Sequence, residues 1–170
     1  MTTTVSIGLL ILRLAVGLTI AGHGAQKAFG WFGGSGFVKQ SAVFQGQGLT
    51  PGWFWASLAV LGELGGGLSV ASGFLTPLGA AGIVGAMFLA VNRTRPNGFW
   101  NWNRGYEFPL LLLATAVAIG IAGPGAFALD TLFGLHLSIW VFLVLAVLAV
   151  LTDGVAMYLS GRSTAAARAA

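Results

Sequence analysis

Arg13, His23 and Lys27 recur within the first long apolar run, and Glu63 and Glu107 stand in or beside two later ones. At 100° per residue the three basic side chains fall within an arc of about 80°, so they share one helix face. Arg13 comes eight positions after Val5, roughly 12 Å into a hydrocarbon layer about 30 Å thick. Glu63 comes ten positions before Gly73, roughly 15 Å from the same side if its helix is antiparallel to the first. A cation at that depth costs about 2.5 to 3.5 kcal/mol on insertion scales and needs a partner. The matching depths predict that Arg13 pairs with Glu63. Such a pair can hold a site rigid, or it can fix helix register without doing any chemistry.

A second group belongs nearer the other end of the first helix. His23 lies between Gly22 and Gly24, which leave room beside an imidazole that can carry a proton. Glu107 opens a later apolar run at a depth where it can meet Lys27, His23 or Arg104, although a carboxylate there is also favoured by the helix dipole alone. Lys27 can likewise reach the interface by snorkelling. Asp153 reads as an interfacial residue. His136 stands near Asp130 in a connection, and two distant histidines without cysteine do not make a haem pair or a copper centre. No metal site and no haem are expected.

The elements that must position these residues are membrane helices. Hydrophobic residues make up 56% of the 170 and charged residues only 7%, too few to cover a water-facing surface. The net charge of +4 is spread thinly between apolar segments, so it reads as a topology signal, and no nucleic-acid surface is expected. The chain has no cysteine, which excludes disulfides, thiolate metal sites and dithiol redox chemistry for this subunit.

Five spans are expected: Val5 to about Phe29, read as a retained helix because it lacks a basic leader region; Phe54 to Gly73; Leu78 to Asn92; about Tyr106 to Ala122; and Leu137 to about Leu159. Trp31 to Gly52 reads as a loop or interfacial segment, with Trp31, Trp53 and Trp55 in an interfacial belt. Gly73, Thr76 and Pro77 make a short turn, so the second and third spans are antiparallel neighbours. Gly123, Pro124 and Gly125 end the fourth span, and residues 160–170 read as a disordered tail. Gly62 and Gly66, with Gly79, Gly82 and Gly85, read as close helix packing. Gly46, Gly48 and Gly52 do not form a dinucleotide fingerprint. An outside N-terminus puts Lys27, Lys39, Arg93, Arg95, Arg104, Arg162 and Arg168 on the cytoplasmic side, leaving no loop lysine or arginine outside.

Several elements, taken together and in order, resemble the DoxX family. They are Leu12-Arg13-Leu14-Ala15 with Gly17, then Gly22-His23-Gly24-Ala25-Gln26-Lys27, then Gly62-Glu63-Leu64-Gly65-Gly66 with Gly73, Thr76 and Pro77. Gly105-Tyr106-Glu107, Gly123-Pro124-Gly125 and Leu129-Asp130 complete the pattern, which covers about residues 5 to 131. The resemblance implies a four-helix transmembrane bundle; the fifth, C-terminal transmembrane helix at about 137–159 departs from that pattern and comes from the apolar run, and the N-out/C-in orientation of this one all-α membrane domain comes from the loop charges. It also implies a multi-pass protein of a bacterial cell membrane associated with a quinone-linked oxidoreductase system, with quinone as cofactor and soluble or membrane redox proteins as partners. Arg13, His23, Lys27, Glu63 and Glu107 match the family's polar positions. In a redox role Arg13 and Lys27 would stabilise an anionic quinone oxygen, and His23 or a glutamate would supply the proton.

A different class of function stays open, that of a noncatalytic anchor or scaffold for soluble proteins. Arg93, Arg95, Trp100, Trp102 and Arg104 would then form the docking surface, since Trp and Arg are enriched in binding hot spots. Interfacial anchoring accounts for the same residues. A small transporter is the weakest reading, because no inverted repeat is visible.

Overall fold

The computed structural model describes the backbone of residues 2–169 and the side chains of residues 2–161. Every regular element in it is helical: α1 (Thr3–Phe29), α2 (Gly36–Gly46), α3 (Gly52–Ser72), α4 (Thr76–Thr94), α5 (Glu107–Ala122), the single turn α6 (Leu129–Leu132) and α7 (Ile139–Ala169), with short 3₁₀ turns between them. Three of these, Thr3–Phe29, Gly52–Ser72 and Ile139–Gly161, are long and apolar enough to cross a membrane, and Glu107–Ala122 is a shorter apolar helix. The expected tail at 160–170 continues as helix to Ala169, and the side chains of Arg162 and Arg168 lie outside the described residues.

The helix limits follow from local chemistry. Thr2 caps α1 through its hydroxyl, and Gly30 ends it in the left-handed region at φ 73°. Gly73 does the same for α3 at φ 69°. There the Gly73 N–H donates to Val70 O and the Phe74 N–H to Ser69 O, so two of the last carbonyls of α3 are satisfied. Pro77 sits in the first turn of α4, where a missing N–H costs no helical bond.

Glycine sets the distance between α1 and α3. A Cβ on Gly17 would lie 2.6 Å from the Ala71 backbone nitrogen and 2.7 Å from Gly67 O, and one on Gly67 would lie 2.5 Å from the Ala21 nitrogen. Gly24 has the same relation to Leu64. The two backbones therefore touch, as small residues allow in a membrane. These contacts fix the antiparallel register, with Gly17 opposite Ala71 and Gly24 opposite Leu64. Gly62 and Gly66 bring α3 equally close to α4, against the carbonyls of Gly82 and Gly79, so the packing role expected for these glycines is the one they have.

The helix α4 is central, packed by α3, α5 and α7. Ile20, Val70, Ala80, Ile83, Val84, Ala116, Ile119 and Phe142 form the main core. A second core joins Phe44 and Leu49 to Trp55, Ala56, Ala59, Leu89 and Ala156. Two expectations change here. The segment between Trp31 and Gly52 contains a helix, α2, folded back onto α3. Trp55 is buried in the second core rather than standing in an interfacial belt, whereas Trp31 and Trp53 are exposed. Phe37, Phe44 and Leu49 give this Gly-rich segment enough apolar surface to cover the Trp55 ring.

Replacing Gly17 with Val should cost about 1–3 kcal/mol through overpacking, read as a lower unfolding temperature in detergent. Gly8→Ala, whose Cβ meets nothing within 4 Å, should stay within about 0.5 kcal/mol of the parent. Equal effects would mean that α1 and α3 are not in backbone contact.

Candidate functional site

The structure separates the polar residues into two clusters at different levels of α1. Arg13 is 1% exposed and does not pair with Glu63. Its guanidinium donates to Pro124 O, and its Nη2 donates to Phe127 O at 2.8 Å. It lies against Gly73, where a Cβ would come within 2.7 Å of Arg13 Nη1, so Gly73 serves both the turn and the arginine. Asp130, also 1% exposed, supplies the negative charge nearby. Its carboxylate accepts from the N–H of Leu75 at 2.7 Å and of Thr76 at 2.9 Å, capping α4 from a distant loop. Leu75 sits at φ 52°, a left-handed conformation that costs a branched side chain energy. The Asp130 carboxylate holds it there.

The pairing expected for Arg13 fails because the glycine contacts slide α1 along α3. With Gly17 opposite Ala71, Arg13 falls level with Gly73, and Glu63 falls level with the last turns of α1. The cation that meets Glu63 is Lys27, which makes an ion pair with Glu63 Oε1. Equal depth counted from two helix ends is a poor guide when the ends are not level.

The second cluster contains this pair and His23. Glu63 is 2% exposed and the Lys27 side chain 26%, so the carboxylate is inside the protein while the ammonium retains an outlet. Glu63 Oε2 is buried with no hydrogen-bond partner among the described residues. Around Glu63 the helix α3 widens into a π turn over Leu61–Gly65, an irregularity frequent at functional sites. One helical turn before Lys27, His23 Nδ1 lies 3.0 Å from Gln26 Oε1, and its ring meets Phe108 edge-on at 5.7 Å. When Nδ1 donates to Gln26, Nε2 is left as an acceptor. Of the two glycines beside His23, Gly24 is filled by Leu64, whereas a Cβ on Gly22 would meet nothing within 4 Å. The open side of the histidine is therefore the Gly22 side.

Glu107 does not join the cluster. Its Oε2 accepts from the Asn101 N–H at 2.9 Å, which ties the loop between α4 and α5 to the start of α5. In that loop Trp100 and Trp102 stack at 4.8 Å with planes 8° apart, and Trp102 is 73% exposed. Arg95 and Arg104 are exposed. Arg93 differs, since its Nε and Nη2 are buried, which removes much of its fork from the expected docking surface. Asp153 is also misplaced by the sequence reading: it is 8% exposed and faces α4 at Gly85 rather than standing at an interface. Asp130 and Asp153 were the residues most undervalued. The signal that points to them is scarcity: they are two of only four acidic residues in the chain, and Asp153 stands inside its apolar run.

Apolar helices around buried charged groups define an all-helical membrane protein with a polar site inside the bundle. The DoxX family model matches residues 8–96, more than half of the chain, and the chain belongs to the DoxX family. The matched segment holds Arg13, His23, Lys27 and Glu63. No curated protein and no solved structure matches the chain.

Asp130→Ala should orphan the Leu75 and Thr76 N–H groups and leave Arg13 without its nearby anion. The expected loss is about 1–3 kcal/mol for each orphaned group, measured by thermal unfolding in detergent. Asp130→Asn, which keeps one acceptor oxygen, should recover part of it.

Proposed function

We propose that the chain is a multi-pass protein of the cell membrane, crossing it five times through α1, α3, α4, α5 and α7 with the N-terminus outside and the C-terminus inside. In support, α4 rises roughly 28 Å and α5 roughly 24 Å at 1.5 Å per residue, enough for most of a hydrocarbon core about 30 Å thick. Lys27, Lys39, Arg93, Arg95 and Arg104 gather at one end of the bundle, and the turn at Gly73–Pro77 and the loop around Asp130 at the other. Since the chain has no cysteine, single cysteines can test this directly. In intact cells a membrane-impermeant maleimide should label Leu132→Cys and should label Trp102→Cys only after permeabilisation. The reverse pattern would invert the topology.

We further propose that the protein is a subunit of a quinone-linked oxidoreductase system, with His23, Lys27 and Glu63 as the polar site. The observation that carries this reading is the Lys27–Glu63 pair, whose buried carboxylate has an unused oxygen and stands in a π turn. A quinone bound there would accept two electrons and two protons, and the electrons would come from a partner protein. Lys27 has donors left beyond its bond to Glu63 and can hydrogen-bond a carbonyl oxygen. Glu63 and His23 can hold and pass protons. Arg13 has no part in this site, because it lies at the Gly73 end of the bundle, donating to Pro124 and Phe127. Decylubiquinone titrated calorimetrically into the purified protein should bind about tenfold more weakly to the Lys27→Met/Glu63→Met double variant. Removing both charges avoids leaving one buried without its partner. Unchanged affinity in a folded double variant would remove the site.

The exposed Trp100–Trp102 stack beside Arg95 and Arg104 favours a second reading, an anchor for soluble redox proteins at the same face. Trp102→Ala with Arg104→Ala should then release a copurifying protein while leaving decylubiquinone affinity unchanged.

A further inference from the structure

On the opposite side of α3 from Lys27, an apolar groove of about 680 Å³ runs between α3, α4 and α7. Its floor is made by Gly62, Gly65, Gly66, Gly79, Gly82 and Gly85, and it extends from Trp55 and Leu89 to Phe74 and Leu75. Leu75 to Leu89 corresponds to roughly 21 Å along α4. The volume is that of a small-molecule site, and such sites are mostly apolar with a few placed polar groups. Ser69, Ser72 and Thr152 line the groove, but their hydroxyls donate to backbone carbonyls, so the placed group still open to a ligand is Asp153. Asp153 also lines the groove, it is more than nine-tenths buried, and it has no hydrogen-bonding or ionic partner among the described residues.

Depth restricts what can meet that carboxyl. A Cβ on Gly85 would lie 3.8 Å from Asp153 Oδ2, and Gly85 is nine residues, roughly 13 Å, inside the Thr94 end of α4. Phosphate headgroups stay at the level of the helix ends, so a phospholipid cannot bring its polar head to Asp153. A head that enters the hydrocarbon must be small and uncharged. A hydroxyl both donates and accepts, and so satisfies a carboxyl whether or not it carries its proton. We propose that this groove binds a single-chain, hydroxyl-headed lipid, its hydroxyl on Asp153 and its chain along the glycine floor toward Leu75. The site is separate from His23, Lys27 and Glu63 and does not depend on the quinone reading.

The test uses the full chain in lipid nanodiscs with a diazirine analogue of hexadecanol, and the analogue of its methyl ether as the comparison probe. The hydroxyl probe should attach to peptides spanning Leu58–Leu68, Leu78–Leu89 and the Thr152 region, and should outcompete the ether. Gly65→Leu puts a side chain into the groove from a position where a Cβ meets nothing within 4 Å, and should reduce labelling about tenfold. Asp153→Leu should abolish the preference for the hydroxyl probe. Labelling spread evenly over all helices, equal labelling by both probes, no loss in Gly65→Leu, or crosslinks showing that a second copy fills the groove would each overturn the proposal.

Discussion

The backbone contact between α1 and α3 is the constraint on which the rest of the structure depends. Lipid supplies no hydrophobic drive between helices, so close packing has to hold them together. Gly17, Gly24 and Gly67 leave nothing between the two backbones, and helices that touch this closely cannot slide without colliding. The register they set decides which cation reaches Glu63. It also places Arg13 at the mouth of the bundle, where the loop after α5 can close over it.

From that register two polar clusters follow. At the Gly73 end, Arg13 donates to two carbonyls, Asp130 accepts two N–H groups, and the Asp130 N–H donates to Gly73 O. That arrangement joins α1, the α3–α4 turn and the loop after α5, with Arg13 Nε and Thr76 Oγ1 left buried without a hydrogen-bond partner among the described residues. Nearer the other end, Lys27 and Glu63 are paired but incompletely used: a buried carboxylate oxygen, spare ammonium donors and a histidine with an open side remain. Burying the Glu63 carboxylate is costly even though it is paired.

Much of this was legible in the sequence. The limits of the helices follow from apolar run length and from Gly30, Gly73, Pro77 and Gly123, whose chemistry is local. The packing role of Gly62 and Gly66 was readable for the same reason. Partner choice was not. Arg13 and Glu63 match in depth only when each is counted from its own helix end, and the offset between the ends is a tertiary property set by glycine contacts. Asp130 looked like a loop residue because its two partners, Leu75 and Thr76, are more than fifty positions away in the chain. Asp153 looked interfacial because burial by Gly85 on another helix leaves no trace in its own neighbours. The helix α2 was hidden by a Gly- and Gln-rich composition and declares itself only through Phe44 and Leu49 packing on Trp55.

The central claim is that Lys27, and not Arg13, is the partner of Glu63. Double-mutant cycles on thermal unfolding in detergent test it most directly, comparing Lys27→Met with Glu63→Gln and Arg13→Met with Glu63→Gln. The account predicts a coupling of about 0.5–3 kcal/mol for the first pair, and effects additive within about 0.5 kcal/mol for the second. Coupling between Arg13 and Glu63 with additivity between Lys27 and Glu63 would contradict the register, and with it the placement of both clusters.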